Sequence, residues 1–268
     1  MNIDRDRLSG RLLGKPFVLL LDVDGTLASI APRPADAVVP PATRDAVASL
    51  ARTTGVVVGL VSGRAADDVR QLVAIDGLWV IGNHGAEIAS PDGHVTVEPH
   101  VATFEGTIAA ARGALDTALA SASLRGVVVE NKRWTLTVHY RAADPDPGLL
   151  PALRDIVSRV AQAHGLTVIE GKKVLELRPP VPVNKGTAVV ALASSVGGFD
   201  DGASVLYAGD DATDEDAFVA LRARAPSAVT LHVNGEGSRD TAAEYIVSDP
   251  MEMGGLLAWL AELRRSRI

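Results

Sequence analysis

The chain has 268 residues, 47% hydrophobic and 22% charged, long enough for one large domain or two modest ones. It has no cysteine, which excludes disulfides and thiolate chemistry and suits a reducing cytoplasm, and its formal charge of −7 argues against nonspecific nucleic-acid binding. No apolar run approaches the roughly 20 residues of a membrane span, the charged start Met1–Arg7 lacks the apolar core of a signal peptide, and no feature calls for a protein partner.

The elements follow in chain order. Phe17 to Leu21 is an apolar run that predicts a strand buried on both faces. It ends in Asp22-Val23-Asp24-Gly25-Thr26. Alternation along a strand points Asp22 and Asp24 the same way. Two such charges about 4 Å apart repel by about 4 kcal/mol at an effective dielectric near 20. A divalent cation relieves that repulsion, which reads as a Mg²⁺ site with a carboxylate left to attack. Asp and Gly acting as turn formers explain the same segment equally well when it is taken alone. A helix is expected over Ala42–Arg52, and then a strand Val56–Val61 ending in Ser62-Gly63-Arg64. A helix Ala65–Val73 and a strand Leu78–Ile81 lead into Gly82-Asn83-His84-Gly85. Glu87–Ala89 and His94–Val97 flank Pro91-Asp92-Gly93, a hairpin signal.

The middle of the chain reads differently. Helical pattern Phe104–Ala120 is followed by strands Gly126–Glu130 and Thr135–Tyr140. Helical pattern Leu149–His164 is followed by strands Leu166–Ile169 and Val174–Leu177. Two helix-strand-strand units suggest a small sheet with both helices on one face. Alternation then resumes. Asn184-Lys185-Gly186 opens a helical pattern Thr187–Val196, and strand Ser204–Ala208 ends in Gly209-Asp210-Asp211-Ala212-Thr213-Asp214. Helix Glu215–Arg222, strands Ala228–Val233 and Tyr245–Val247, and helix Met251–Arg265 complete the chain. Strands separated by helices imply a doubly wound, mostly parallel, Rossmann-like α/β core over residues 1–101 and 181–268. An α/β cap is expected over 102–180, with Pro99 and Pro179-Pro180-Val181-Pro182 as hinge-like edges. Such an insertion is the usual description of a lid.

Each chemical motif has a plain alternative by itself. A Ser-Gly after a strand serves as a helix cap, a lone Lys is a solvated side chain, and an acidic run complements a helix dipole. Four in order at strand ends and helix starts are another matter. Asp-x-Asp-x-Thr, the Ser, the Lys and Gly-Asp-Asp-x-x-Asp together resemble the haloacid dehalogenase superfamily of phosphotransferases. The resemblance implies Asp22 as nucleophile, forming an aspartyl-phosphate. It implies Asp24 as general acid and then base. Mg²⁺ would be held by Asp22, the Asp24 backbone carbonyl and Asp210, with Asp211 and Asp214 behind them. Ser62 would donate to a phosphoryl oxygen, Lys185 would offset its charge, and Val23 would border it beside Asp22 and Asp24. The aspartate at the second position is the phosphatase residue of that superfamily, and so favours complete hydrolysis.

Glu130 and Lys132 lie two apart and share a face, as do Val174, Glu176 and Arg178, with Leu175 and Leu177 on the other. In a one-sided sheet the charged face points to water, yet carboxylates and amines of this kind also bracket sugar hydroxyls. Val129-Glu130-Asn131-Lys132, His139-Tyr140-Arg141 and Gly171-Lys172-Lys173-Val174-Leu175-Glu176-Leu177-Arg178-Pro179 resemble the cap motifs of the trehalose-6-phosphate phosphatases. Gly82 to Glu87, Asn184-Lys185-Gly186 and Gly209 to Asp216 match the same family, so the likeness runs from about Phe17 to Leu263. It implies Glu130, Lys132 and Glu176 as binders of the disaccharide, with Asn83 and His84 on the core side of the pocket. One departure is Asn131, where the family often has Asp. The expected substrate is therefore the small molecule trehalose 6-phosphate. The alternatives are another sugar phosphate, such as sucrose phosphate or mannosyl- or glucosyl-phosphoglycerate, and a non-catalytic sugar-phosphate-binding regulator.

Overall fold

The computed structural model describes residues 5–122, 124–143, 147–171, 173–233 and 240–266. Lys172 of the quoted cap motif and residues 1–4 lie outside them. The chain divides into two compact units, Met1–Thr96 with Val183–Ile268, and Val97–Pro182.

The first unit opens with α1 (Arg5–Arg11), β1 (Phe17–Asp22), α2 (Pro41–Ala51), β2 (Val56–Val61), α3 (Ala66–Val73), β3 (Trp79–Gly82), β4 (Glu87–Ala89) and β5 (Val95–Val97). The second contains α4 (Pro99–Ala102), α5 (Glu105–Ala122), β6 (Val128–Asn131), β7 (Leu136–His139), α6 (Leu149–Ala163), β8 (Thr167–Gly171) and β9 (Val174–Arg178). The first then resumes with α7 (Lys185–Ser195), β10 (Ser204–Gly209), α8 (Ala212–Arg224), β11 (Val229–Val233), β12 (Tyr245–Val247) and α9 (Pro250–Arg265).

The large sheet runs β12-β11-β10-β1-β2-β3-β4-β5. It is parallel from β12 to β3, and β4 pairs with β3 antiparallel. β1 is central and buried throughout, because helices cover both faces. Phe17, Leu19 and Leu21 pack with Val47 and Leu50 of α2 and Leu257 and Leu260 of α9. Val18 and Leu20 pack with Val189 and Leu192 of α7 and Phe218 of α8. Alternate residues thus serve opposite cores, which is why the run shows no polar alternation. Each such side chain contributes about 1.5–3 kcal/mol of burial. In register, Asp22 lies beside Val61 and Leu21 beside Ala208. Ser62 and the Gly209-Asp210 turn therefore leave the sheet at the edge where β1 ends, the carboxyl edge at which open α/β sheets bind ligands.

The second unit is an antiparallel sheet in the order β6-β7-β9-β8. Leu136, Val138, Leu175 and Leu177 of one face pack with Ile108 and Leu115 of α5 and Leu153 and Val157 of α6. The other face carries Glu130, Thr137 and Glu176 in one cross-strand row. Thr137 and Glu176 are buried, so this face is not simply turned to water as a one-sided sheet suggests.

Helix starts move where caps decide them. α7 begins at Lys185 because Asn184 forms a capping box with Thr187. α8 begins at Ala212, not Glu215, because Asp211 caps it and Asp214 reaches back. α1 and α4 were not expected; they are short and carry little periodicity. Among the described residues no helix is long and apolar enough to cross a membrane.

Candidate active site

Asp22 ends β1, and its carboxylate is buried. Its Oδ1 accepts a hydrogen bond from Lys185 Nζ at 2.7 Å, and the same amine donates to Asp214 Oδ1 at 2.8 Å. Lys185 is only 2% exposed, at the first position of α7. Asp214 is the most heavily supported group here. Tyr207 of β10 donates its hydroxyl to Asp214 Oδ1, and the backbone N–H groups of Asp210 and Asp211 both reach Asp214 Oδ2 at 3.0 Å. Asp211 turns away to cap α8, accepting from Thr213 N at 2.7 Å and from the Thr213 hydroxyl at 2.7 Å.

Charge follows from this arrangement. Burial pushes the Asp22 carboxyl well above its ordinary range; Lys185 opposes that, and Asp214, Asp210 and Asp211 add to it. Burial alone would lower Lys185, but Asp214 and Asp22 outweigh it and hold the amine well above its ordinary value, as an ammonium. Burial, then Asp214, keeps Tyr207 protonated as a donor. Burial works upward on Asp211 too, yet Lys185 and the Thr213 hydrogen bonds hold it well below the carboxylate range.

Oxygens of Asp22, Asp210 and Asp214 lie within 4.8 Å of one another. Among the described residues the buried Asp22 Oδ2 has no hydrogen-bond partner, a state that a bound cation would relieve. The donors are hard oxygens, with neither thiolate nor imidazole in the cluster, so the set fits a hard divalent ion. Asp214 already meets four donors, so Asp22 and Asp210 are the carboxylates of the cluster better able to hold such an ion. Gly25 makes room for this. Its φ is +97°, and a Cβ there would lie 2.1 Å from Asp210 Oδ2.

The Asp24 side chain departs from the strand alternation that would aim it with Asp22. Its carboxylate does not join the acid cluster; Arg64 grips it in a fork, Nε to Oδ2 at 2.6 Å and NH2 to Oδ1 at 2.7 Å. The same guanidinium donates to Pro34 O. β1 ends at Asp22, so strand alternation no longer governs the residue two further on. Ser62 is buried after β2, and its Oγ accepts from Arg64 N at 3.1 Å. Asn83 and His84 follow β3 with φ of +49° and +56°. His84 N donates to Ser62 O at 3.0 Å, which joins the two loops. The buried Glu87 Oε1 accepts from Asn83 Nδ2 at 2.9 Å and from Ala66 N at 2.7 Å, fixing Asn83 against the start of α3. Arg64, Glu87 and Tyr207 were missed as site residues. Arg64 and Glu87 sit inside motifs read for their neighbours, and Tyr207 sits in a strand read as apolar.

In the second unit, Glu130 Oε2 lies 2.7 Å from His139 Nε2. Arg178 donates to Glu176 Oε2. Lys132 Nζ lies 4.0 Å from Glu130 Oε2 and 4.0 Å from Glu176 Oε1. The three expected sugar-binding side chains thus share one face of one sheet, and Asp22, Lys185, Asp210 and Asp214 meet at one strand edge of the first unit.

A central parallel sheet that carries its acids at the ends of β1 and β10, with an α/β insertion, is a haloacid dehalogenase-like architecture. Residues 20–251 match the trehalose-phosphatase family, and the chain belongs to it. It is 33% identical over 264 residues to a probable trehalose-phosphate phosphatase D of Arabidopsis thaliana, covering 94% of this chain and 69% of that protein. It is 38% identical over 261 residues to an uncharacterized glycosyl hydrolase of Mycobacterium tuberculosis, covering 95% of this chain but only 19% of that protein. A solved trehalose-6-phosphate phosphatase related protein superposes with a TM-score of 0.79 at 26% identity, covering 94% of this chain and 100% of the other.

Proposed function

We propose that the chain hydrolyses trehalose 6-phosphate to trehalose and phosphate through an aspartyl-phosphate. The observation that carries this is a buried Asp22 carboxylate with one oxygen on Lys185 and the other without a hydrogen-bond partner among the described residues, inside a cluster of three acids. Such a group has no structural use, and it is the form a shielded nucleophile takes. Family membership supports the sugar phosphate as substrate.

Asp22 attacks phosphorus, and the bond to the sugar oxygen breaks. Lys185 stays charged and screens the approach of a carboxylate to a phosphate dianion. Tyr207 and the N–H groups of Asp210 and Asp211 fix Asp214, which in turn fixes the Lys185 amine. Ser62 donates to a phosphoryl oxygen. Once released from Arg64 and protonated, Asp24 gives that proton to the leaving alcohol and regains one from the water that cleaves the aspartyl-phosphate, so the acid is restored at the end of each turnover. Mg²⁺ on Asp22, Asp210 and the Asp24 carbonyl supplies charge neutralisation and alignment when bound. Glu130, Lys132 and Glu176 hold the disaccharide, which makes the second unit the specificity unit; the first, which carries Asn83 and His84, is the catalytic core.

A phosphate-release assay over a panel of sugar phosphates with Mg²⁺ tests this. Trehalose 6-phosphate should be turned over far faster than sucrose phosphate or the glycosyl phosphoglycerates. Preference for one of those, or no turnover at all, overturns the proposal.

A further inference from the structure

We propose that His139 and Arg178 are positioning residues that fix the two sugar-binding carboxylates; this rests on the reading given under Proposed function. Glu130, Thr137 and Glu176 stand in one row across β6, β7 and β9. Adjacent strands are about 4.8 Å apart, so the two glutamates start roughly 10 Å from each other. The Lys132 ammonium lies 4.0 Å from an oxygen of each, outside hydrogen-bond reach of both.

A flexible carboxylate loses rotamer freedom when it binds a sugar hydroxyl. Here both carboxylates are already held. His139, two residues along β7 from Thr137 and on the same face, holds Glu130 Oε2. Arg178, two residues along β9 from Glu176, holds Glu176 Oε2. One oxygen of each carboxylate is thus held by a neighbour on its own sheet. Thr137 Oγ1, buried in the middle of the row, has no hydrogen-bond partner among the described residues, which marks a polar group kept for a ligand. The result is a preorganised platform of acceptors and donors spaced for the neighbouring hydroxyls of a hexose. Without the tethers each carboxylate must be ordered by the sugar itself, and binding weakens.

The test uses the full chain with Mg²⁺ and trehalose 6-phosphate. His139→Leu should raise KM by about tenfold or more with kcat changed far less, the weight of one charge-assisted hydrogen bond. His139→Gln, which keeps a donor near the Nε2 position, should recover most of that loss. In a Glu130→Gln background, His139→Leu should add little. Arg178→Met reads the other tether independently should His139→Leu fail to fold, and it should raise KM likewise, with Arg178→Lys only partly restoring it because a point donor replaces a fork. A wild-type chain without turnover of this substrate overturns the functional reading and this inference with it. Wild-type turnover with unchanged KM in His139→Leu and Arg178→Met, a Gln variant as poor as the Leu variant, or fully additive losses with Glu130→Gln overturns this inference alone.

Discussion

Asp22→Asn separates what the carboxylate does for the reaction from what it does for the fold. Lys185 at 2.7 Å attracts an ionised Asp22 by about 6 kcal/mol at an effective dielectric near 20. Oxygens of Asp210 and Asp214 within 4.8 Å repel it by about 3 kcal/mol or more each. Attraction and repulsion nearly cancel, and burial then weighs against the charge, so in metal-free protein the ionised group contributes no net stability. The variant keeps the shape and removes the charge. Turnover should be lost, while the metal-free Tm stays level or rises by a few degrees, since about 1 kcal/mol corresponds to about 2–4 °C at this size. Because the wild-type group has a raised pKa, the wild type is matched to the variant at acid pH and loses ground as pH rises above the ordinary value of 3.8. Added Mg²⁺ should raise the Tm of the wild type more than that of the variant, because one charged ligand is gone. Phosphate release and thermal unfolding, each with and without Mg²⁺, read all of this. Turnover within about tenfold of wild type, a barrier change of only about 1.4 kcal/mol, would refute the nucleophile assignment. A metal-free Tm drop beyond about 4 °C would refute the electrostatic argument.

Chelator should abolish turnover and Mg²⁺ restore it, whereas Ca²⁺, larger and more highly coordinated, should bind and support little reaction; full activity in excess chelator with no metal carried through purification rules this out. Glu130→Ala, Lys132→Ala and Glu176→Ala should each cut kcat/KM for trehalose 6-phosphate by about 10²-fold, as loss of buried polar contacts to a hydroxylated substrate does, and spare a small phosphate ester; equal losses on both substrates point to a general structural role instead. Asp211→Ala should cost about 1–2 kcal/mol of stability at pH 7 through loss of the α8 cap. The Asp211 pKa is depressed, so its contribution is complete above 3.8 and fades as pH falls below that value; urea titrations at pH 7 and pH 3 should show the two proteins converging, and a gap that persists or widens at pH 3 counts against the cap.

The sequence by itself determined the layered α/β plan and the strand ends where the acids sit. A double-faced apolar run such as Phe17–Leu21 has one cheap solution, the middle of a covered sheet, and register then carries Asp22, Ser62 and Asp210 to one edge. These are local signals, legible within a few residues. Helix starts at Lys185 and Ala212 were readable only to within a turn, because capping by Asn184 and Asp211 sets them. The long-range part of the network was decided by tertiary structure alone. Lys185 meets an aspartate 163 residues away and another 29 away, and no short-range pattern encodes that approach. The grip of Arg64 on Asp24, 40 residues apart, arises the same way, whereas the hold of Glu87 on Asn83 and of the Tyr207 hydroxyl on Asp214 spans only 4 and 7 residues and depends on how the chain turns after β3 and β10. The same holds for the second unit. Alternation shows which side chains of β6 and β9 share a face, but only strand order puts β7 between them, with Thr137 in the row and His139 against Glu130. Periodicity says which way a side chain faces, whereas its partner is set by which strand the sheet places next to it.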